Sequence, residues 1–181
     1  MSDVTLPEPG TWQLDPAHTS IEFVARHLMV TKVRGGFGSF TGSIEITENP
    51  IDTKIEIEVQ MDSVVTGSAD RDGHIKSADF FDVENYPTMK FVGTSIVAKD
   101  DGYELAGDLT VKGVTKPLTL SVEYLGVMTD PWGNAKAAFS ASGEVNREDW
   151  GLTWNAPLET GGVLVSKTAK IEIEAQAARQ A

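Results

Sequence analysis

The feature that most restricts how this chain of 181 residues can fold is an alternation of apolar and polar residues with a period of two. The clearest example is residues 54–62, KIEIEVQMD, in which every second residue is apolar. Successive side chains of a β-strand point to opposite faces, so the pattern predicts strands with one apolar and one solvated face, as in antiparallel sheets. The same alternation recurs in further segments: residues 21–26, 40–47, 89–98, 103–112, 118–124, 135–146 and 169–175.

Short connections join these segments into consecutive hairpins. Asp101-Gly102 is a two-residue turn signal, and residues 112–115 and 130–134 contain the Gly and Pro that tight turns favour. The chain is therefore expected to be an all-β meander of roughly eight strands. Such a meander can form either a sandwich or a closed barrel.

Only short helices are predicted. Residues 68–81 read as one helix, with Ser68 as its N-cap, and a second helical turn is expected at residues 28–31. The chain contains no internal repeat and no change of composition that would mark a second domain. We therefore expect residues 1–181 to form a single β-barrel domain, with residues 1–10 as an extended or disordered tail.

Several positions on the inner faces of the predicted strands carry small side chains. At about eight strands, a barrel interior can fill with side chains or hold one small ligand. The small residues would leave the centre open, or the glycines would mark bulges and corners while large residues opposite fill the space. The pattern leaves both interpretations open for Gly42, Gly93, Gly107, Ala137, Ala141 and Gly143.

Two polar residues stand where the alternation predicts inward apolar side chains, each at the end of a strand. His27 continues the inner face of residues 21–26, and Arg147 continues that of residues 135–146. In a functional interpretation both contact the head group of an amphiphile, since Arg can grip a phosphate with two parallel donors. In a structural one, His27 bonds a backbone carbonyl and Arg147 fastens the loop 147–162 by pairing with Glu148, Asp149 or Glu159.

The charge balance excludes several classes of partner. Lys and Arg total 15 against 27 Asp and Glu, a formal net charge of −12, so nucleic acid and docking on a membrane through a basic patch are disfavoured. No segment approaches the roughly 20 apolar residues of a membrane span, so no stable membrane insertion is expected. The N-terminal sequence MSDVTLPEPG does not resemble a secretory leader, which predicts a cytoplasmic protein.

No motif for catalysis or for a metal is present. The chain has no cysteine, and its three histidines lack the spacing of metal-ligand pairs. There is no G-x-S-x-G elbow and no glycine-rich phosphate loop opening a helix. We therefore expect no catalytic residues, no metal and no cofactor.

A series of short motifs runs in a set order through the chain. They are Trp12, Asp15-Pro16-Ala17-His18, Phe23, His27-Leu28, Gly36-Phe37, Phe40-Thr41-Gly42, Thr66-Gly67, Arg71-Asp72, His74-Ile75, Asp79-Phe80-Phe81, Tyr86-Pro87, Phe91, Gly107-Asp108-Leu109-Thr110-Val111, Gly113-Val114-Thr115-Lys116-Pro117, Asn146-Arg147 and Trp150-Gly151-Leu152. Together they resemble the YceI-like polyisoprenoid-binding family, over nearly the whole chain. Thr19 and Trp150 stand where that family often has Ser and Phe.

The resemblance implies an extended eight-stranded antiparallel barrel, lipocalin-like, with one or two short helices. It also implies an open apolar tunnel that binds a polyisoprenoid or similar long-chain amphiphilic lipid, for carriage, storage or sequestration. Family members are often exported and often dimeric, so a homodimer is a further implied partner. On this basis the expected lipid-binding residues are Phe23, His27, Phe37, Phe40, Phe91, Leu109, Phe139, Arg147 and Trp154.

Two alternatives remain open at this stage. The first is a barrel with a filled core that binds a protein partner through its acidic surface. The second is an enzyme that modifies a lipid, for which His27 is the one candidate base. An open lumen, or side chains that fill it, distinguishes the first alternative from lipid binding.

Overall fold

The structure is a computed structural model, and it describes residues 7–158 and 164–181. Strands make up most of it. The single α-helix of these residues, α1, is Ala69–Lys76, and 3-10 turns lie at Pro16–His18, Pro50–Asp52, Met61–Ser63 and Arg147–Trp150. The strands are β1 Gly10–Leu14, β2 Ser20–His27, β3 Thr31–Phe37, β4 Phe40–Ile46, β5 Lys54–Gln60, β6 Val64–Val65, β7 Thr88–Lys99, β8 Gly102–Val111, β9 Val114–Thr129, β10 Ala135–Asn146 and β11 Thr168–Arg179.

The strands form one closed antiparallel barrel with eight strand positions, because three positions are each filled by two consecutive strands. β1 and β2 both pair with β11, so they are two halves of one broken strand. β4 pairs with β1, and β3 pairs with β2. On their other sides, β5 pairs with β4 and β6 pairs with β3. Strands β7 to β11 then follow in sequence order and complete the ring. The prediction of an eight-stranded barrel is confirmed, and the sandwich is excluded.

The break between β1 and β2 has a local cause. The Asp15 carboxylate accepts a hydrogen bond from the Ala17 N–H at 3.0 Å, and Pro16 begins the 3-10 turn. The same carboxylate binds Lys136 of β10 at 2.8 Å and His18 at 2.8 Å. These two hydrogen bonds, Lys136 first, lower the pKa of Asp15 from 3.8 to about 2. The broken strand is thereby fastened to β10.

The two helix predictions have different outcomes. Residues 68–81 do contain a helix with Ser68 as N-cap, its hydroxyl accepting from the Arg71 N–H, but α1 is shorter than predicted and ends at Lys76. The helical turn predicted at residues 28–31 is wrong. Leu28 and Met29 have φ of 54° and 62°, in the left-handed region, and form the turn of the β2–β3 hairpin.

The small inward residues are sites where a larger neighbour lies against the barrel wall. A Cβ at Gly107 would lie 2.5 Å from the ring of Phe91, and one at Gly35 would collide with the ring of Phe23. Because these positions lack a Cβ, the two rings can pack directly over the glycine backbone. Both interpretations of the glycines are thus partly right: neighbours fill the space over each glycine, and the centre of the barrel stays open.

Residues near the N-terminus that the sequence assigned to a tail contribute to the barrel. Gly10 begins β1, the Trp12 indole donates to the carbonyl of Glu8 at 3.0 Å, and Arg179 of β11 binds the Glu8 carboxylate at 2.6 Å. The rest of the predicted tail, residues 1–6, lies outside the described residues. Trp12 itself is almost fully buried, which makes β1 part of the core.

Candidate ligand-binding cavity

A cavity of about 730 Å³ runs along the inside of the barrel. Its walls are predominantly aliphatic and aromatic, and they come from the inward positions of the strands, as the period-two alternation requires. The volume lies within the range of natural ligand pockets, about 300–1,000 Å³. Residues near both ends of β11, Ala169 and Ala175, line it. One continuous cavity therefore spans most of the length of the barrel.

The polar lining residues gather at the two ends of this cavity. We call the end beside α1 the helix end; its polar lining residues are Arg26, His27, Asp70, Arg71, His74 and Arg147. We call the opposite end, beside the connection between β4 and β5, the far end; its polar lining residues are Thr47, Glu48, Thr53, Tyr103 and Tyr124. Between the two ends the lining is apolar except for Glu22 of β2, whose carboxylate accepts a hydrogen bond from Arg34 at 2.7 Å. This distribution suits a long molecule with an apolar body.

Most of the residues predicted to contact a ligand do line the cavity. Phe40 is the exception: it is buried in the core but does not line the cavity, because it lies at the start of β4, directly after the break from β3, and packs within the wall. We therefore withdraw Phe40 as a candidate contact. The predicted residues that line the cavity are Phe23, His27, Phe37, Phe91, Leu109, Phe139, Arg147 and Trp154.

Other lining residues were absent from the prediction. Those on strands, such as Ile171 and Ile173 of β11, follow from the alternation and could have been found with it. Those between strands do not follow from alternation: Phe80 and Phe81 lie beyond the end of α1, in the segment predicted as helix, and Leu164 lies in a segment without a periodic pattern. They reach the cavity only because the chain folds back over the helix end.

Arg147 is buried, with 7% of its surface exposed, and it holds the helix end together. Its Nε donates to the carbonyl of Ser166 at 2.8 Å, Nη1 to that of Leu152, and Nη2 to that of Val165 at 3.4 Å. Burial lowers the pKa of its guanidinium, an effect that the Glu148 carboxylate opposes. Arg147 thus fastens the segments on either side of residues 159–163.

The partners of Arg147 differ from those predicted. Within residues 7–158 and 164–181 no carboxylate forms an ion pair with it, although Glu148 and Asp149 are close in sequence. Glu159, the third predicted partner, lies outside the described residues. Backbone carbonyls therefore take the place of the acids, and they use three of the five N–H donors of the guanidinium. A buried cation remains at the cavity wall.

Aromatic rings close the helix end around this cation. The Arg147 guanidinium lies 5.8 Å from the centre of the Phe80 ring, and Phe80 lies 5.4 Å from Trp154. Trp154 meets the ring of His74 edge-on at 4.5 Å, and His74 binds Asp79 at 2.9 Å. Segments distant in sequence thus meet over the mouth of the cavity. Contact between them narrows the mouth without filling the bore.

His27 does not behave as a buried core histidine. Its side chain is exposed at the rim of the helix end, and it makes no hydrogen bond to any part of the chain that the structure describes. Its backbone pairs with Val165 in an isolated bridge. The predicted bond from the ring to a backbone carbonyl is not found among these described residues. The imidazole is available to a molecule at the mouth.

The described residues contain neither a group of metal ligands nor a helix that could span a membrane. No group of three or more His, Asp or Glu side chains in residues 7–158 and 164–181 is placed to hold a metal ion. No helix in these residues is long and apolar enough to cross a membrane. The cavity is therefore the feature on which a functional interpretation must rest.

A closed eight-stranded antiparallel barrel around one elongated apolar cavity defines the class to which this protein belongs. Comparison with known proteins gives the family: residues 12–177 match the model of the YceI-like domain, and the chain belongs to that family. A UPF0312 protein of Staphylococcus aureus strain MSSA476 is 38% identical over 164 residues, which cover 90% of this chain and 94% of that protein.

Three solved structures are similar to this one. Burkholderia cenocepacia BcnA aligns with a TM-score of 0.78 and 18% identity, over 90% of this chain and 98% of its own. The YceI protein of Campylobacter jejuni aligns with a TM-score of 0.73 and 26% identity, over 86% and 90%. A polyisoprenoid binding domain from Saccharophagus degradans, implicated in plant cell wall breakdown, aligns with a TM-score of 0.68 and 14% identity, over 96% and 100%.

Proposed function

We propose that this protein binds one polyisoprenoid or similar long-chain amphiphilic lipid inside its barrel, for carriage, storage or sequestration. The observation that carries the proposal is the elongated, predominantly apolar cavity whose polar lining residues lie mostly near its two ends. The polyisoprenoid binding domain from Saccharophagus degradans has the same fold, which supports this class of ligand.

The dimensions of the cavity support a chain as the ligand. A methylene group takes about as much room as a water molecule, roughly 30 Å³, so the cavity accommodates on the order of 20 chain carbons. Burial of ~20 carbons at about 0.8 kcal/mol each is a gross gain of order 16 kcal/mol. Association and ordering of the chain oppose this by roughly 4–15 kcal/mol. The net binding free energy is then in the range expected of a reversible lipid carrier.

The polar groups support a defined orientation for the ligand. The helix end has three arginines and one aspartate among its lining residues, whereas the far end has a carboxylate with the hydroxyls of threonine and tyrosine and, among the described residues, no lining cation. Arg147 keeps two N–H donors beyond those that bind backbone carbonyls. An anionic head group such as a phosphate fits the helix end, with the apolar chain directed toward the far end.

The alternatives have less support. The filled-core barrel requires side chains that occupy the lumen, and the lumen is open. A lipid-modifying enzyme requires a base that another group orients, and His27 makes no side-chain hydrogen bond within the described chain. We therefore propose a binding protein without catalytic activity.

Native mass spectrometry of protein purified without detergent tests the proposal. We expect the wild type to retain a lipid, which organic extraction would then identify. Ala141→Trp places an indole in the bore, because Ala141 lines the cavity, and it should abolish retention. Ser142→Trp is the matched control, since its side chain is on the outer face of the same strand. A bare wild-type chain, or equal retention by both variants, would contradict the proposal.

A further inference from the structure

The tip of the β2–β3 hairpin presents three consecutive exposed apolar side chains at the helix end. Leu28 is 47% exposed, Met29 58% and Val30 73%. The residue before them, His27, lines the cavity, and the Leu28 N–H donates to the carbonyl of Leu164, another lining residue, at 2.9 Å. The exposed tip is therefore continuous with the rim of the cavity.

The backbone of the tip is unfavourable for the residues that occupy it. A β-turn with positive φ at both central positions normally carries Asn-Gly there, because large side chains are strained in the left-handed region. Here the two positions are Leu28 and Met29. The turn is held by a bond from the Val30 N–H to the carbonyl of His27 at 3.1 Å, and by Arg26 Nη1 to the carbonyl of Val30 at 2.9 Å. Large apolar side chains are thus held in solvent at a strained turn.

Basic side chains stand directly behind this tip. Arg26 and Lys32 are opposite each other in the register of β2 and β3, and neither forms an ion pair with any described residue. Lys167 and Lys170 of the neighbouring chain segment are also largely exposed, but each lies 3.7 Å from a carboxylate, that of Glu148 and of Glu172 respectively. The net charge of −12 argued against a basic docking patch, but that argument assumes an even distribution of charge. Arg26 and Lys32 carry charges that no described carboxylate pairs with, so the surface behind the tip is locally basic.

The size and chemistry of the tip favour a lipid bilayer over a second copy of the chain. A stable protein interface buries about 800 Å² per partner, more than three side chains supply. Apolar residues that insert at the level of the head groups, with cations behind them, are typical of proteins that lie on anionic membranes. The apolar tip and its basic residues match that arrangement.

We propose that the β2–β3 hairpin docks on anionic bilayers, with Leu28, Met29 and Val30 inserted among the head groups. This position brings the helix-end mouth of the cavity against the membrane surface. As far as it concerns lipid exchange, the inference rests on the proposed function; the docking itself does not. A lipid could then pass between bilayer and barrel without crossing water.

Vesicle flotation tests the docking. We expect the wild type to float with vesicles of phosphatidylcholine and phosphatidylglycerol, and Met29→Asp/Val30→Asp to bind them roughly tenfold more weakly, since two apolar contacts are lost. The matched control is Met128→Asp/Trp132→Asp, which makes the same change in charge at exposed apolar residues of the far end. Failure of the wild type to float, or equal loss in both double variants, would overturn the docking surface.

A pair of charge reversals tests the basic residues. Lys32→Glu and Lys54→Glu change the net charge equally, but Lys32 lies behind the tip and Lys54 begins β5 at the far end. Neither lysine lines the cavity. We expect only Lys32→Glu to weaken binding to the anionic vesicles, by about fivefold or more, because loss of one cation near an anionic surface costs about 1 kcal/mol. Neither variant should change binding to pure phosphatidylcholine, which has no net charge. Equal effects of the two reversals would contradict a local basic surface.

Separate measurements distinguish this inference from the proposed function. Met29 and Val30 do not line the cavity, so the double variant should retain lipid like the wild type while transferring it to vesicles more slowly. A wild type that floats but carries no lipid would support docking and contradict the proposed function. Light scattering supplies the last control: a dimer that dissociates in Met29→Asp/Val30→Asp, with flotation unchanged, would assign the tip to a second copy of the chain and overturn the proposal.

Discussion

The two ends of the barrel are built from the same hairpins but differ in chemistry. The helix end has Arg26, Arg71 and Arg147 around the cavity, whereas the far end has Glu48 among its lining residues. The turns of the far end add Asp100, Asp101 and Asp130, and its most exposed apolar residue, Trp132, lies within two residues of Asp130. Exposed apolar side chains therefore occur at both ends, but the cations that line the cavity, Arg26, Arg71 and Arg147, lie at the helix end.

This difference gives the cavity a direction. An apolar bore that was alike at both ends would accept an amphiphile in either orientation, because burial of its chain is not directional. Cations at one mouth and a carboxylate at the other favour one orientation for an anionic ligand. The same asymmetry directs the helix end toward an anionic surface and the far end away from it.

The largest effect that distinguishes the ends is expected from their arginines. Arg147→Met removes three hydrogen bonds to buried carbonyls, so the free energy of unfolding should fall by about 3 kcal/mol. Arg179→Met at the far end removes an exposed pair with Glu8 and should change it by less than ~1 kcal/mol. Chemical denaturation of both variants measures this. Similar losses would show that Arg147 does not hold the helix end together.

At the strained hairpin turn, a substitution is expected to raise the free energy of unfolding instead of lowering it. Leu28→Asn/Met29→Gly supplies the residues that the left-handed turn favours, so the free energy of unfolding should rise by about 1–2 kcal/mol. The turn at Lys112-Gly113 has positive φ at both residues and already carries a glycine. Thermal denaturation combined with flotation checks the variant, which should be more stable and bind anionic vesicles less. A gain in stability without weaker flotation would show that the side chains of this turn do not contribute to docking.

The preferred orientation of the ligand is tested with two head groups. Arg147→Gln keeps a donor for the carbonyls but removes the charge, so it should weaken binding of a prenyl phosphate roughly tenfold more than binding of the corresponding alcohol. Displacement of a fluorescent lipid would measure both affinities. Equal losses for the two ligands would limit Arg147 to a structural role.

The smallest effect concerns the half of the barrel nearest the far end. Asp15 has a pKa of about 2, well below its usual 3.8, so it stabilises the fold above pH 4, and this contribution is lost as the pH falls toward 2. Asp15→Asn should therefore lower the free energy of unfolding by about 1 kcal/mol at neutral pH, with little difference from wild type at pH 2. The free energies of unfolding of wild type and Asp15→Asn, measured from pH 2 to neutral pH, check this prediction. A constant difference at all pH values would exclude the Asp15–Lys136 pair as its source.

The fold could be predicted from the sequence to a large extent, because alternation is a local property that each strand carries in its own residues. The eight strand positions follow directly from it, and the N-cap at Ser68 follows from the preference of helix starts for serine. The turn at Leu28 and Met29 was wrongly predicted as helical because neither residue is a usual hairpin signal. Their backbone conformation depends on contacts from Leu164 and Arg26, which sequence patterns do not show.

The candidate site could be predicted only in part. Phe23, Phe91 and Phe139 line the cavity because they occupy inward positions of strands, and the pattern identifies such positions. Phe40 has the same pattern but packs within the wall, since the strand breaks just before it. Phe80 is at the mouth although it lies outside the alternating segments. Lining a cavity depends on the neighbours of a side chain as well as on its direction.

The sequence by itself determined that this chain forms a one-sided β-meander, that it lacks cysteine chemistry, and that two polar residues stand at strand ends facing inward. Only the tertiary structure decided that the bore stays open, that Arg147 binds backbone carbonyls, and that three arginines line one mouth. The physical reason is the separation along the sequence of the residues that produce each feature. Alternation and composition act within a strand, whereas an open lumen and a local charge arise from residues that are brought together from distant parts of the chain.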